Sequence, residues 1–228
     1  MNILAVDTAT AGCGVAILLS DGRQARAMVF SGQTHASHLL PLIDKTLSNC
    51  GARLSDMDGF AVTRGPGSFT GLRIGISTVK GMAAAWDKPL AGVSSLEALA
   101  FPFTGCPLPV CALIDARKGQ VYAGRYVSDE DGLISLDEEK ALSPEEAAAV
   151  DQTCLFVGSG ATAYRETITS VAGNQARFAP PTQNTIRPEV VAYLGRQRLL
   201  AGQADDPAAF APLYVRPPDA TINKLPPS

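Results

Sequence analysis

The helix expected over residues 69–86 constrains this chain more than any other stretch. It should begin near Ser68, whose hydroxyl group can accept from the free N–H groups of a first helical turn. Apolar or small residues then cover it almost all the way round, in one stripe of Leu72, Ile76, Val79 and Ala83 and a second of Gly71, Gly75, Thr78 and Met82. A helix with two apolar faces has to be covered on two sides.

Glycines inside this helix indicate close approach by another backbone. Gly71, Gly75 and Gly81 each destabilise a helix by about 1 kcal/mol relative to alanine. Core packing against a sheet accounts for one apolar face and leaves the second unexplained. We therefore favour a partner surface on the second face, bordered by a polar edge that includes Arg73 and Lys80.

The charge of the chain argues against nucleic-acid binding by the chain alone. Its 228 residues carry a net charge of −3 without a block of Lys or Arg, whereas phosphate contacts need clustered cations. Five scattered cysteines without a C-x-x-C pair fit a reducing cytosol better than a metal site or disulfides. Because no signal peptide or membrane span is apparent, we expect a cytoplasmic protein without a membrane partner.

The first half of the chain predicts alternating strands and helices. We expect strands at 2–6, 14–19, 24–30, 59–63 and 90–93. A helix at 37–50 precedes the fourth strand, and Ser94 or Ser95 caps a short helix after the fifth. Pro41 limits where the helix at 37–50 can begin. One face of that helix carries Leu39, Leu42, Ile43 and Leu47.

A segment rich in proline, residues 101–109, predicts a boundary between two half-domains, 1–103 and 104–228. Beyond it we expect a hairpin of strands at 110–115 and 120–127, and further strands at 133–136 and 155–157. Helices should start at Ser143-Pro144, after Gly158 and near Pro188, and the tail from Pro207 should be extended or loose. The similar order of elements indicates two similar α/β half-domains.

Three turns could bind a ligand. Asp7 ends the first strand, where actin-like and hexokinase-like ATPases keep a phosphate-binding turn, but an aspartate there is more often an ordinary turn former. Gly65-Pro66-Gly67 and, more weakly, Gly158-Ser159-Gly160 could hold an anion on free N–H groups or simply let a helix pack closely. None of them is a P-loop.

The remaining polar residues give little chemistry. His35 and His38 are the only histidines, and without a third ligand they favour capping or surface roles over a metal site. Asp115 and Arg117 should form an ion pair at a hairpin. Two histidines so near the N-terminus support no Ser-His-Asp or Cys-His arrangement. We therefore expect no catalytic, cofactor-binding or metal-binding residue.

The motif R-G-P-G-S-F-T-G-L-R-I-G at residues 64–75 is the most specific of several that resemble one protein family, the bacterial TsaB proteins, also called YeaZ. Supporting motifs are I-L-A-V-D-T-A-T at 3–10, H-x-x-x-L-L-P at 35–41, D-A-R-x-G-x-V-Y at 115–122 and A-P-L-Y-V-R at 211–216. The resemblance implies an α/β fold of two ribonuclease-H-like halves with mixed sheets flanked by helices, the actin/hexokinase-like (ASKHA) fold.

The family resemblance implies a non-catalytic subunit, paralogous to the enzyme TsaD. TsaD would need it, together with the ATPase TsaE, to transfer a threonylcarbamoyl group to the adenosine beside the anticodon of tRNAs that read codons beginning with A. The chain would reach tRNA only through this complex and would form a homodimer when alone. TsaD-type members carry an H-x-x-x-H metal pair that the second half of this chain lacks.

The same resemblance implies that two N-terminal helices form the interface with TsaD. On this sequence the implied partner interface is Leu39, Leu42, Ile43, Leu47, Gly71, Leu72, Arg73, Gly75, Ile76, Val79, Lys80 and Ala83. The alternative function is an ATP-dependent enzyme of the same superfamily, a phosphotransferase or a peptidase. It requires the Asp7 and Gly158 turns to hold a nucleotide between the halves.

We expect the chain alone to bind tRNA weakly and without selectivity. With a net charge of −3 it can neutralise few phosphates, so its Kd should lie in or above the non-specific range of about 10⁻⁴–10⁻⁶ M at physiological salt. A fluorescence-anisotropy titration against tRNAs that do and do not read A-starting codons measures this. Tight binding that distinguishes the two tRNA classes contradicts the expectation.

Overall fold

The first half contains a mixed sheet of five strands. The computed structural model describes residues 1–31, 35–130 and 132–216. The strands are β1 (Ile3–Asp7), β2 (Cys13–Leu18), β3 (Gln24–Val29), β4 (Gly59–Gly65) and β5 (Leu90–Ser94), in the order β3-β2-β1-β4-β5. β1 pairs antiparallel with β2 and parallel with β4, and β5 is parallel to β4. All residues of β1 are buried, which explains its continuous apolar run.

The helices of this half are α1 (His35–Cys50), α2 (Phe69–Trp86) and α3 (Ser95–Ala100). The predicted caps are confirmed: Ser68 accepts from the Gly71 N–H group, and Ser94 caps α3. The prediction that Pro41 limits the start of α1 is wrong, because the helix begins at His35 and continues through the proline. Pro41 lies on the exposed side of α1, where solvent reaches the backbone that loses a helical hydrogen bond.

The second half contains a mixed sheet of six strands. They are β6 (Val110–Arg117), β7 (Gln120–Ser128), β8 (Leu133–Ser135), β9 (Lys140–Leu142), β10 (Cys154–Val157) and β11 (Ala176–Phe178). The order is β11-β10-β6-β7-β8, and β9 also pairs with β7. The predicted hairpin and the strands at 133–136 and 155–157 are confirmed. The sequence did not reveal β9 and β11, which are too short to show an alternating pattern.

Four helices follow in this half: α4 (Pro144–Ala148), α5 (Ser159–Ala163), α6 (Arg165–Ala172) and α7 (Pro188–Leu200). Ser143 and Glu146 form the expected capping box of α4. The apolar cluster around Phe156 and Ile168 joins α4, α5 and α6 to the second sheet. A larger cluster runs from the first sheet through Leu96 of α3 to Ala112 and Tyr126 of the second sheet.

The last helix, α7, packs against the first sheet. Its Gly195 lies so close to β4 that an added Cβ atom would be 2.3 Å from the Cβ atom of Ala61. The same added atom would approach Ile3, whereas one at Gly75 of α2 would approach Val6. Because strand side chains alternate, α2 and α7 cover opposite faces of the sheet. The boundary at 103/104 stays a prediction, and α7 returns across it.

The chain after α7 also packs on the first half. The tail was expected to be extended or loose, but Phe210 is buried and Leu213 donates a backbone hydrogen bond to Arg64. Residues 217–228 of the expected tail lie outside the described residues. Among the helices that the structure describes, none is both long and apolar enough to cross a membrane.

Replacing Gly195 by alanine should destabilise the protein, whereas Gly81→Ala should stabilise it. Both changes improve helix propensity by about 1 kcal/mol. Only the new methyl group at Gly195 collides with β4, and such overpacking costs about 1–3 kcal/mol. Thermal melting should therefore show a raised Tm for Gly81→Ala and a lowered Tm for Gly195→Ala. Equal shifts in the two variants contradict the close packing of α7.

Candidate functional site

The turn after β1 is built around the buried carboxylate of Asp7. Its Oδ1 atom accepts from the Ala9 N–H group at 3.0 Å and from the Thr63 hydroxyl group at 2.9 Å. Its Oδ2 atom is buried and has no partner among the described residues. Burial raises the pKa of Asp7 from 3.8 to about 6, and the two hydrogen bonds offset only part of this effect.

The first turns of α2 cover this turn directly. The Ser68 N–H group donates to the Ala9 carbonyl oxygen at 2.7 Å, and the Thr8 hydroxyl group donates to the Gly71 carbonyl oxygen at 2.8 Å. A Cβ atom at Gly71 would lie 2.1 Å from the Thr8 carbonyl oxygen, and one at Gly75 would lie 2.3 Å from the Thr8 hydroxyl oxygen. Gly71 and Gly75 therefore allow contact with the turn after β1, whereas Gly81 has open space beside it, and the contact leaves no room for a phosphate between the turn and the helix.

The candidate turn at Gly158 is also filled by the chain itself. The Gly158 N–H group donates to Asn184 at 2.8 Å, and a Cβ atom at Gly158 would lie 2.3 Å from the Leu113 carbonyl oxygen. The expected ion pair between Asp115 and Arg117 is instead a hydrogen bond from the Arg117 backbone N–H group at 2.8 Å. This contact closes the β6–β7 hairpin.

The two histidines contact different groups. His35 Nε2 lies 2.9 Å from the Thr10 carbonyl oxygen, and His38 Nε2 lies 2.9 Å from the Ser31 hydroxyl oxygen. Within the part of the chain that the structure describes, no three His, Cys, Asp or Glu side chains are grouped to hold a metal ion.

A cavity of about 720 Å³ lies between the two halves, and its charges are mixed. Arg64, Lys140 and Arg198 line it together with Glu138 and Glu139. The Glu139 carboxylate accepts from Tyr126 at 3.0 Å, and burial raises its pKa. With acidic and basic groups in similar numbers, the cleft does not concentrate positive charge that would attract a polyphosphate.

The structure buries most of the residues that the sequence assigned to a partner interface. Arg73 is exposed and Lys80 is half-buried. The other ten are buried in the chain itself: Leu39, Leu42, Ile43, Leu47, Gly71, Leu72, Gly75, Ile76, Val79 and Ala83. Part of the second apolar face of α2 is covered without a partner, because Gly71 and Gly75 contact the Thr8 turn, and the partner surface favoured on that face stays a prediction. The role of the ten buried residues in docking also stays a prediction.

Apart from Arg73, the surface that α1 and α2 leave open consists of residues outside the predicted interface. On α2 the outward residues include a stripe of Arg73, Ser77, Gly81 and Ala84. On α1 the side chain of Leu40 is 62% exposed. We call the α2 stripe and Leu40 the outer surface. Leu40 was not among the predicted interface residues, although it lies inside the H-x-x-x-L-L-P motif.

Replacing Asp7 by asparagine should remove a pH dependence of stability between about pH 4 and 6. Because the folded-state pKa of about 6 exceeds the ordinary 3.8, the folded state holds the proton more tightly than the unfolded state. The stabilising effect of the protonated Asp7 side chain is present below about pH 4 and is lost as the pH rises through about 6. Ionised Asp7 should then reduce the free energy of unfolding by about 3 kcal/mol at pH 7.

Urea unfolding at several pH values measures this effect. Asp7→Asn should show a flatter pH profile than the unmodified chain, and Asp44→Asn, at an exposed position of α1, serves as the control. At pH 7 the gain should be smaller than 3 kcal/mol, because a buried amide without a partner costs about 1–3 kcal/mol. An unchanged profile contradicts the buried ionisation of Asp7.

Comparisons with known proteins agree on one family. Residues 30–224 match the family described as TsaD, tRNA N6-adenosine threonylcarbamoyltransferase. The tRNA threonylcarbamoyladenosine biosynthesis protein TsaB of Bacillus subtilis is 32% identical over 95% of this chain and 94% of its own length. The Escherichia coli protein of the same name is 41% identical over 64% of each chain.

The solved structures add the fold. YeaZ from Pseudomonas aeruginosa has a TM-score of 0.81 and 31% identity, and the match covers 93% of this chain and 99% of that one. The two α/β halves with mixed sheets thus form the predicted actin/hexokinase-like fold. The chain belongs to the TsaB (YeaZ) family of tRNA threonylcarbamoyladenosine biosynthesis proteins.

Proposed function

We propose that this chain is a non-catalytic subunit that pairs with a TsaD-type threonylcarbamoyltransferase. TsaD, with the ATPase TsaE, would then transfer the threonylcarbamoyl group to the adenosine beside the anticodon of tRNAs reading A-starting codons. The observation that carries this proposal is the contact between α2 and the Thr8 turn. In this chain the turn that could hold a phosphate binds the chain's own helix.

The electrostatics of the cleft support a role without catalysis. Asp7 is almost completely buried, so its carboxylate is not open to a solvated metal ion. The cavity between the halves carries acidic residues beside its basic ones. The tRNA would meet the complex rather than this acidic chain alone, and this function would place the chain in the cytoplasm.

The outer surface supports docking through α1 and α2. Gly81 and Ala84 are exposed on α2, so a partner helix could approach its backbone closely. Leu40 on α1 and Trp86 at the end of α2 add exposed apolar area. In the absence of TsaD, the same surface would form a homodimer. The buried residues of the implied interface would contribute by holding the two helices in place.

The alternative is an ATP-dependent phosphotransferase or peptidase of the same fold. The unpartnered Oδ2 atom of Asp7 favours it, since a metal ion could satisfy that oxygen. A nucleotide would first have to displace the start of α2 from the Thr8 turn. We therefore propose the accessory function ahead of the enzymatic one.

Replacing Leu40 by aspartate should weaken binding to the TsaD homologue of the same cell. A charge in the centre of an apolar contact should raise the Kd about tenfold or more. Leu200→Asp on α7 is the matched control, because Leu200 is 60% exposed and Leu40 is 62% exposed. Calorimetric titration gives both Kd values, and modification of tRNA in a mixture with TsaD, TsaE and a threonylcarbamoyl donor should fall in parallel.

Two results would contradict the proposal in different ways. Equal binding by the Leu40 and Leu200 variants would put the docking surface elsewhere. Steady ATP hydrolysis by the chain alone, abolished in Asp7→Ala, would establish the enzymatic alternative. Thermal melting should give similar Tm values for both leucine variants, since each side chain is largely exposed.

A further inference from the structure

The segment after α7 forms a strap, residues 205–216, across one end of the first sheet. Asp205 accepts from the Gly92 N–H group at 2.7 Å. Further along, the Leu213 N–H group donates to the Arg64 carbonyl oxygen at 2.7 Å. The strap therefore runs from the edge strand β5 past the end of β4 and towards the start of α2.

The strap holds both basic side chains of α2. Lys80 Nζ donates to the Phe210 carbonyl oxygen at 2.9 Å, and Arg73 Nε donates to the Tyr214 hydroxyl oxygen at 3.1 Å. The Tyr214 ring also lies 5.0 Å from the Phe69 ring, centroid to centroid. The Arg73 guanidinium lies 3.7 Å above the Phe69 ring. Two side chains, Phe69 and Tyr214, thus fix the position of the Arg73 head group.

The two terminal nitrogens of the Arg73 guanidinium can still donate hydrogen bonds. Arg73 is exposed, and no described residue accepts a hydrogen bond from its two terminal nitrogens. A planar guanidinium presents paired donors that match a carboxylate. Between residues 69 and 86 the helix has no Asp or Glu that could take this role.

We propose that Tyr214 and Phe69 hold Arg73 as a docking contact for a carboxylate on the TsaD-type partner. Tyr214 is then a positioning residue, and the docking surface is built from α2 and the strap together. This inference rests on the proposed function and names the chemistry of the partner at that surface. The charge of Arg73 selects an acidic group, and Tyr214 acts by holding Arg73 in place rather than by a contact of its own with the partner.

The attachment of the strap favours a partner that binds onto it over one that replaces it. Phe210 is buried, so removal of the strap would expose an aromatic side chain. It would also break the backbone hydrogen bond from Leu213 to Arg64. Leu213 and Tyr214 remain partly exposed with the strap in place. In the homodimer proposed above, a second copy of α2 would offer Arg73 another Arg73 and no carboxylate, so this particular contact favours the TsaD-type partner.

Affinity for the purified TsaD homologue of the same cell tests this inference. Arg73→Ala should raise the Kd about tenfold or more, and Arg73→Lys should not restore it, since an ammonium group cannot form the paired contact. Arg165→Ala is the matched control, because the Arg165 guanidinium lies 4.0 Å above the Phe178 ring, away from α2. That variant should bind like the unmodified chain.

Double replacement separates positioning from direct contact. Tyr214→Ala should weaken binding, and the Arg73→Ala/Tyr214→Ala pair should bind no more weakly than Arg73→Ala alone. Tyr214→Phe keeps the ring on Phe69 and loses the hydrogen bond, so it should give an intermediate Kd with an unchanged Tm. Raising the salt concentration should weaken the unmodified chain more than Arg73→Ala.

Each of the following results would contradict one part of the proposal. If the unmodified chain does not bind the TsaD homologue, the proposed function fails. If it binds and Arg73→Ala binds equally well, only the docking contact fails. Additive effects of the Arg73 and Tyr214 replacements overturn the positioning role. Loss of the homodimer with intact TsaD binding in Arg73→Ala would assign the contact to a second copy of this chain.

Discussion

The contact between α2 and the turn after β1 is the interaction on which the rest of the structure depends. Gly71 and Gly75 let the helix backbone reach Thr8, and the hydroxyl group of Thr8 satisfies a helix carbonyl in return. No larger side chain fits at either glycine without moving the β1 turn. The intrinsic cost of glycine in a helix is thus offset by packing and by a buried hydrogen bond.

This contact changes what the inherited fold can do. In an actin/hexokinase-like fold the space beside the first turn could hold a ligand, but here α2 fills it and seals Asp7 inside. Ionisation of the buried Asp7 carboxyl group then lowers the free energy of unfolding at neutral pH. With Gly71 and Gly75 packed against the Thr8 turn, the polar edge of the helix is what faces outward. This arrangement supports the proposal that the chain acts through its outer surface rather than through the cleft.

Later parts of the chain complete the first half. α7 covers the face of the sheet opposite α2, and Gly195 sets its distance from β4. The strap then covers the edge strand β5 and fixes Arg73 through Tyr214. A surface that looks like the property of two helices is in fact assembled from segments more than a hundred residues apart. Tyr214 of the A-P-L-Y-V-R motif makes this contact with Arg73.

The sequence by itself determined the elements that local forces set: the capped start of α2 at Ser68, the hairpins and the order of strands and helices. Its motifs also determined the family, because the spacing of residues 64–75 is specific. Only the tertiary structure decided what covers each apolar stripe. Periodicity shows that a face of a helix is apolar, but it does not show which residues pack against that face. Here Thr8, 63 positions before Gly71, packs against α2. The short strands β9 and β11 and the packing of α7 and the strap also depend on contacts distant in sequence, so no local pattern could predict them.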